Sequence, residues 1–473
     1  MVVVLLINTL RLPNHQLGAV PPAPVLNLSA DSTTARLAGA LRIATVSRTR
    51  YADTDTAAFD SLATYLTRTF PRVHRQLKLQ TVNHYGRLYE WAGTDPSLEP
   101  LLLLAHQDVV PVLPGTETRW TRPPFAGQQA DGYLYGRGTL DDKLNVLGQL
   151  EAVEYLLAHG YQPRRTVLLA FGHDEETLGL RGASALAALL RRQHPRLHMV
   201  LDEGGLVKTD GVAGLAQPVA LVGVSEKGYL TVELTAIGQG GHSSMPPALT
   251  SVGRVAAAVA RLEAEPFPAR LDGGVSGLLA YLAPAVPFGK RLVFANQWLF
   301  GPLIKKTLAA TPSSNAALRT TTAPTIVRGG DKDNVLPIEA TATVNFRLLP
   351  GDSVAAVLAR VREVAADSAV HVRVVGPARA ASPVSGTDNA AFTALHRTIR
   401  SVFPQALVAP YVVVGATDAR AYAGLCPRAT YRFMPVLMSQ ADIERLHGID
   451  ERLGVAAYQE VIRFYAALIQ NVQ

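Results

Sequence analysis

Leu101-Leu102-Leu103-Leu104-Ala105-His106-Gln107-Asp108 is the stretch that decides the fold. Four consecutive leucines leave no polar face, so this strand is covered on both sides, the ordinary state of a parallel strand between helices. Ligands in such sheets gather beyond the carboxyl ends of the strands. His106 and Asp108 lie at that end, where an imidazole can bind a metal and a carboxylate two residues on can hold or orient it. Alone, such a triplet is more often a hydrogen-bonded turn, so its meaning rests on what the other strand ends carry.

Two further apolar runs end in the same way. Residues 166–172 read as a buried strand and lead into His173-Asp174-Glu175-Glu176. Residues 198–201 read as another and lead into Asp202-Glu203-Gly204-Gly205. Between them, Tyr135-Gly136-Arg137-Gly138-Thr139-Leu140-Asp141-Asp142-Lys143 opens a helix whose apolar face runs Val146, Leu150, Val153, Leu157. Adjacent carboxylates at a helix start suit the helix dipole, and an acidic turn is often merely solvated. Clustered carboxylates repel one another unless a cation is near. Three strand ends and one helix start with this chemistry predict a metal site.

The whole chain has 473 residues, 48% hydrophobic and 18% charged, which predicts a globular enzyme of two domains. Its one cysteine, Cys426, excludes an internal disulfide and a thiolate metal cluster, so any metal ligands are His, Asp or Glu. The net charge of +7 comes from scattered basic residues with no basic stripe, which argues against nucleic acid as a partner. The opening Met1-Val2-Val3-Val4-Leu5-Leu6-Ile7 is too short to span a bilayer and reads as a docking strand or the remnant of an anchor. Localisation stays open between cytoplasmic and membrane-associated or exported.

A helix is expected over residues 35–46, and a second carrying Phe59, Leu62, Leu66 and Phe70, ended by Pro71. Composition shifts near residue 222. Residues 229–237 alternate as a half-exposed strand, and Gly238-Gln239-Gly240-Gly241-His242-Ser243-Ser244 makes a polar loop. Residues 271–311 form an apolar insert, read as local core or a subunit contact, with a wall for an acyl chain as the alternative. The fold class expected is α/β, a catalytic domain with a mixed, mostly parallel sheet between helices, over residues 36–222 and 377–473. An α+β domain is inserted over residues 223–376, and residues 1–35 form an N-terminal segment.

HQDVVPV, YGRGTLDDK, GHDEE, LDEGG, GGHSS, GATDAR and LHGIDE, in this order, resemble the two-zinc metallopeptidases around carboxypeptidase S, relatives of glutamate carboxypeptidase and aminoacylase. The resemblance implies that His106, Asp141 and Asp202 hold one zinc and Asp141, Glu176 and His447 the other, with Asp141 bridging. It also implies a cis peptide between Asp141 and Asp142. Three protein ligands per ion leave room for a shared water, and two ions roughly 3.5 Å apart would acidify it. Glu175 matches the family's general base, Asp108 the residue that orients His106, and His242 the lid histidine that stabilises the oxyanion, often in a neighbouring subunit. Asn334 and Arg420 match substrate-holding positions, and Arg347 shares that work or makes an ordinary salt bridge. The expected activity is hydrolysis of an amide next to a free carboxylate, in short peptides or N-acyl amino acids, by a homodimer formed through the lid. The competing reading is a non-catalytic zinc- or peptide-binding protein that keeps the fold.

Overall fold

The computed structural model describes residues 1–212 and 214–473. Its main sheet has ten strands, in the order Lys78–Val82, Gly86–Trp91, Val167–Gly172, Leu101–His106, Met199–Asp202, Thr430–Arg432, Val219–Glu226, Leu206–Lys208 and Leu437–Met438. The tenth, Leu407–Val413, pairs parallel with Val219–Glu226. Every residue of Leu101–His106 is buried, as its unbroken apolar pattern requires. Parallel neighbours Val167–Gly172 and Met199–Asp202 flank it, so three acidic or imidazole-bearing strand ends share one edge. Helices Lys143–Ala158 and Val455–Asn471 pack together and bury Leu147, Leu150, Val461 and Ile462 in the core.

A second sheet is wholly antiparallel, ordered Thr321–Arg328, Glu339–Leu348, Gly228–Ile237, Val370–Val374. Alternation along Gly228–Ile237 buries Leu230, Val232, Leu234 and Ala236, which meet helices Ser251–Ala264 and Val354–Ala365 in a separate core. The two sheets connect twice. Val219–Glu226 passes into Gly228–Ile237 through Lys227 alone. On the return, Tyr229 and Arg379 exchange both backbone hydrogen bonds at 2.8 Å, and Ser382 and Ser385 donate their amides to the carbonyls of Glu226 and Val224. Lys227 is buried, and its ammonium donates to the carbonyls of Ala316 and Arg319 at 2.9 Å.

Two local expectations are corrected, at residues 35–46 and at the opening segment, and the helix end at Pro71 is met and extended. The helix expected over 35–46 spans Ala30–Leu41, because the Ser29 hydroxyl accepts from the Ser32 amide and caps it earlier; Val46 then bridges to Val109. Pro71 begins a new short helix, Pro71–Gln76, where its missing N–H costs nothing. The opening segment is a helix, Val2–Leu10, rather than a strand. It docks on the apolar insert, whose helices Gly273–Leu282, Phe288–Ala295, Gln297–Leu308 and Pro312–Leu318 enclose a small core of Val275, Leu279, Ile304 and Leu318. Among the described residues, no helix is long and apolar enough to cross a membrane.

His396 offers a stability test away from the site. It is buried edge-on to Phe392 in helix Ala390–Val402, and its Nε2 finds no hydrogen-bond partner. Burial, reinforced by Arg400, pushes its pKa down to about 4 from an ordinary 6.5. The unfolded chain then binds the proton that the folded chain refuses. Stability is therefore full above pH 6.5 and falls as pH drops toward 4, by at most about 1.4 kcal/mol per unit. Urea unfolding of His396→Leu across that window is expected to show a shallower pH slope than the parent.

Candidate active site

Asp141 stands at the centre of the site. Its Oδ1 lies 2.9 Å from His106 Nε2 and its Oδ2 2.9 Å from His447 Nε2, so one carboxylate reaches both imidazoles. Burial works against its charge, but the two imidazoles hold it well below the usual carboxylate range. Glu176 Oε1 is 3.3 Å from His447 Nε2, without the geometry of a hydrogen bond. The carboxylates of Asp141 and Glu176 beside it raise the His447 pKa to about 10. The Asp141–Asp142 peptide is cis. Asp142 faces inward, accepting the His106 amide at 3.1 Å and the side-chain amide of Asn145.

Asp108 does more than orient an imidazole. Its carboxylate accepts from Ser47 Oγ at 2.6 Å and from the amides of Glu175 and Glu176 at 3.2 Å each. One of its oxygens lies 3.4 Å from His106 Nδ1, and its own carbonyl is nearer, at 3.0 Å. The residue thus fixes the acidic turn against the strand that carries His106. Burial pushes the Glu175 carboxyl well above its ordinary range; His106 opposes this, and Asp418, Glu176 and Asp141 add to it.

The LDEGG segment departs from expectation. Asp202 turns away, its Oδ2 accepting the Ala419 amide at 2.6 Å and its Oδ1 the Glu203 amide at 3.0 Å. Burial raises its pKa to about 6. Glu203 enters the site instead, with Oε1 3.8 Å from His106 Nε2. Successive side chains at a strand end project to opposite sides, so one of the two had to face away. The sequence holds no signal for which.

Two further residues of these motifs, Glu451 and Arg137, hold the site together. Glu451 of LHGIDE is fully buried, and its Oε1 accepts the amides of Gly138, Leu140 and Asp141 while Oε2 accepts Arg137 Nη1 at 2.7 Å. Arg137 Nη2 in turn donates to the carbonyls of His447 and Gly448, at 3.2 and 3.0 Å. This pair ties the loop bearing Asp141 to the loop bearing His447, which sits at a left-handed φ of 59°. Their place inside the motifs was the available clue.

The donor set suits hard-to-borderline divalent cations. His106, Asp141 and Glu176 present ligand atoms within 4.8 Å of one another, as do His106, Asp142 and Glu203. Buried carboxylates outnumber the two imidazoles, an arrangement that needs added positive charge.

A cleft of about 610 Å³ opens beside these groups, with Glu175, Glu176 and His447 on one side and Arg347, Arg379 and Arg420 on the other. Arg420 is engaged: Nε meets Glu226 Oε1 at 2.6 Å and Nη2 donates to the Lys227 carbonyl at 3.3 Å. Arg347 lies over the Tyr229 ring at 4.8 Å. Among the described residues no carboxylate ion-pairs with Arg347 or Arg379. No motif marked Arg379. His242 and Asn334 are not brought to the cleft. They meet each other at the exposed tip of the second sheet, where the Ser243 amide donates to the Asn334 carbonyl at 3.1 Å and His242 Nδ1 pairs with Ser244 Oγ at 2.7 Å. No residue of the apolar insert lines the cleft.

Residues 102–471 match the model of peptidase family M20/M25/M40. The chain belongs to that family. As an M20 member it is a metal-dependent hydrolase of the metallopeptidase type, and the non-catalytic reading falls away. It is 43% identical over 439 residues to N-fatty-acyl-amino acid synthase/hydrolase PM20D1 of Xenopus tropicalis, covering 92% of this chain and 85% of the relative. Carboxypeptidase S of Saccharomyces cerevisiae is 33% identical over 464 residues, covering 88% and 78%. Among solved structures, an M20 family metallo-carboxypeptidase from Sulfolobus solfataricus superposes with a TM-score of 0.68 at 18% identity, over 93% of this chain and 99% of the other. Human carnosine dipeptidase 1 gives 0.62 at 17% identity, over 94% and 96%. These likenesses at low identity carry the α/β fold of this M20 chain.

Proposed function

We propose that this M20 hydrolase cleaves the amide bond of N-acyl amino acids, and of short peptides, next to a free carboxylate. The observation that carries the reading is the pair of arginines, Arg347 and Arg379, without carboxylate partners in the cleft that Glu175 lines. A guanidinium captures a carboxylate in a bidentate fork. Two relatives support the acyl side and the peptide side respectively: the N-fatty-acyl-amino acid hydrolase at 43% identity and carboxypeptidase S at 33%.

In this reading Asp141, His106, Glu203, Glu176 and His447 would hold two zinc ions. Glu203 takes the place that the sequence resemblance gave to Asp202. Bound zinc would supply Lewis acidity to the amide carbonyl and lower the pKa of water. Glu175 takes a proton from the attacking water and returns it to the amine nitrogen as the C–N bond breaks, leaving a carboxylic acid and a free amino acid. Asp108 keeps the Glu175 turn and His106 in register. Arg347 and Arg379 orient the substrate carboxylate, and Arg420 shapes the wall beside them while bound to Glu226.

The deciding experiment offers zinc-reloaded protein a panel of N-acyl amino acids, dipeptides and their C-terminal carboxamides. Turnover of free acids, with carboxamides slower by about a hundredfold or more, is expected. Turnover of no free acid overturns the reading. Arg379→Ala is expected to raise KM for free acids by about tenfold or more with kcat little changed, because the contact is made equally in ground and transition states.

His242 and Asn334, exposed at the tip of the second sheet, support a homodimer in which each reaches the neighbouring subunit's site. Mixing inactive Glu175→Gln with inactive His242→Ala subunits is then expected to regain activity. Mixtures no more active than either parent would refute shared sites.

A further inference from the structure

The N-terminal helix and the apolar insert form one surface unit that the reaction does not use. Asn8 Nδ2 donates to Asn296 Oδ1 at 2.8 Å, and Asn296 Nδ2 donates to the Leu5 carbonyl at 3.2 Å. Helix Val2–Leu10 thereby packs on Phe288–Ala295, which adjoins Gln297–Leu308. Docking buries only Thr9 of the first helix. Large apolar side chains stay exposed on all three helices: Val2, Val3 and Leu10 at 67, 67 and 76%, Phe288 at 51%, Trp298 at 60% and Leu303 at 54%. Soluble surfaces rarely gather such residues without a partner.

The stretches of sequence that carry them hold charge of one sign. Residues 1–30 and 273–330 contain no aspartate or glutamate at all, in a chain with 38 acidic residues. The same two stretches carry Arg11, Lys305 and Lys306 near the exposed apolar residues. Helices with exposed apolar side chains, a tryptophan among them, basic residues and no carboxylate of their own match the interface of an anionic bilayer. A second protein chain would be matched better by an apolar centre with mixed charges at its rim.

We propose that helices Val2–Leu10, Phe288–Ala295 and Gln297–Leu308 form a docking face for an anionic lipid surface. Trp298 and the valines and leucines enter the boundary between headgroups and acyl chains, and Arg11, Lys305 and Lys306 meet the anionic headgroups. The face is separate from the cleft, so binding to lipid and hydrolysis are independent readouts.

The test is flotation of the full chain with vesicles of phosphatidylcholine, with and without phosphatidylserine, at low and high salt. Co-flotation with the phosphatidylserine vesicles, release by salt and a blue shift of tryptophan emission are expected. Lys305→Glu with Lys306→Glu, and separately Trp298→Ser with Leu303→Ser, are each expected to weaken binding by about tenfold or more while hydrolysis of a water-soluble substrate stays unchanged. The charge pair lies at exposed or half-exposed positions, so its result stands even where the apolar pair lowers folding yield. Failure to float with anionic vesicles, or flotation indifferent to the charge pair, overturns the proposal. So does a vesicle-free dimer that Trp298→Ser with Leu303→Ser turns into a monomer, since a second copy would then cover the face.

Discussion

Glu175→Gln is expected to lower kcat by about 10²- to 10⁴-fold while the protein keeps its full complement of zinc. The side chain belongs to neither group of converging ligands, so its loss leaves the ion sites intact. Glutamine preserves shape and cannot accept a proton. The turn itself is held from behind, since the amides of Glu175 and Glu176 donate to Asp108 whatever residue 175 carries. The loss therefore falls on proton transfer rather than on folding or substrate capture, and KM should move little. Steady-state kinetics beside metal analysis by plasma emission checks this. A variant that keeps more than about a tenth of the activity would remove Glu175 from the proton path.

Glu203→Gln and Asp202→Asn are expected to separate completely. Glu203 faces His106, whereas Asp202 holds the Ala419 amide. Glu203→Gln should lose one zinc per subunit and more than about a hundredfold in kcat/KM, because an amide oxygen is a poor substitute for a carboxylate that completes an ion's ligands. Asp202→Asn should keep both ions. It retains one acceptor oxygen for two backbone amides, so one buried donor goes unpaired at a cost of about 1–3 kcal/mol. Zinc content and urea midpoints for the two variants give the answer, and metal loss in Asp202→Asn alone would reverse the assignment.

What the residues disclosed and what they withheld divide along physical lines. Leu101 to Ala105 had no polar position to expose, so a buried parallel strand was the only comfortable home for it, and its neighbours at 167–172 and 199–202 followed. Alternation from 229 to 237 likewise placed one face of the second sheet. Direction was harder. Asp202 and Glu203 differ by one carbon and one residue, and only the path of the chain after the strand decides which turns inward. Arg379 carries no motif because its importance comes from pairing with Tyr229 across a distance of 150 positions. The opening apolar run formed a helix because Asn8 and Asn296 gave it a tertiary anchor that periodicity over nine residues does not reveal.

The double crossing between the two sheets has a mechanical meaning. Lys227 is a one-residue link, and the returning segment is bonded alongside it, Arg379 to Tyr229, Ser382 to Glu226 and Ser385 to Val224. Two backbone segments bonded edge to edge behave as a strip: they flex across the thin dimension and resist sliding in the plane. Any bending of the second sheet against the first would therefore follow one axis, like a page on its spine, carrying Arg347 and leaving Glu175 in place. Such bending would change the gap between Arg347, proposed to hold the substrate's carboxylate, and Glu175, proposed to take the proton. Reach, in this molecule, is set at the spine.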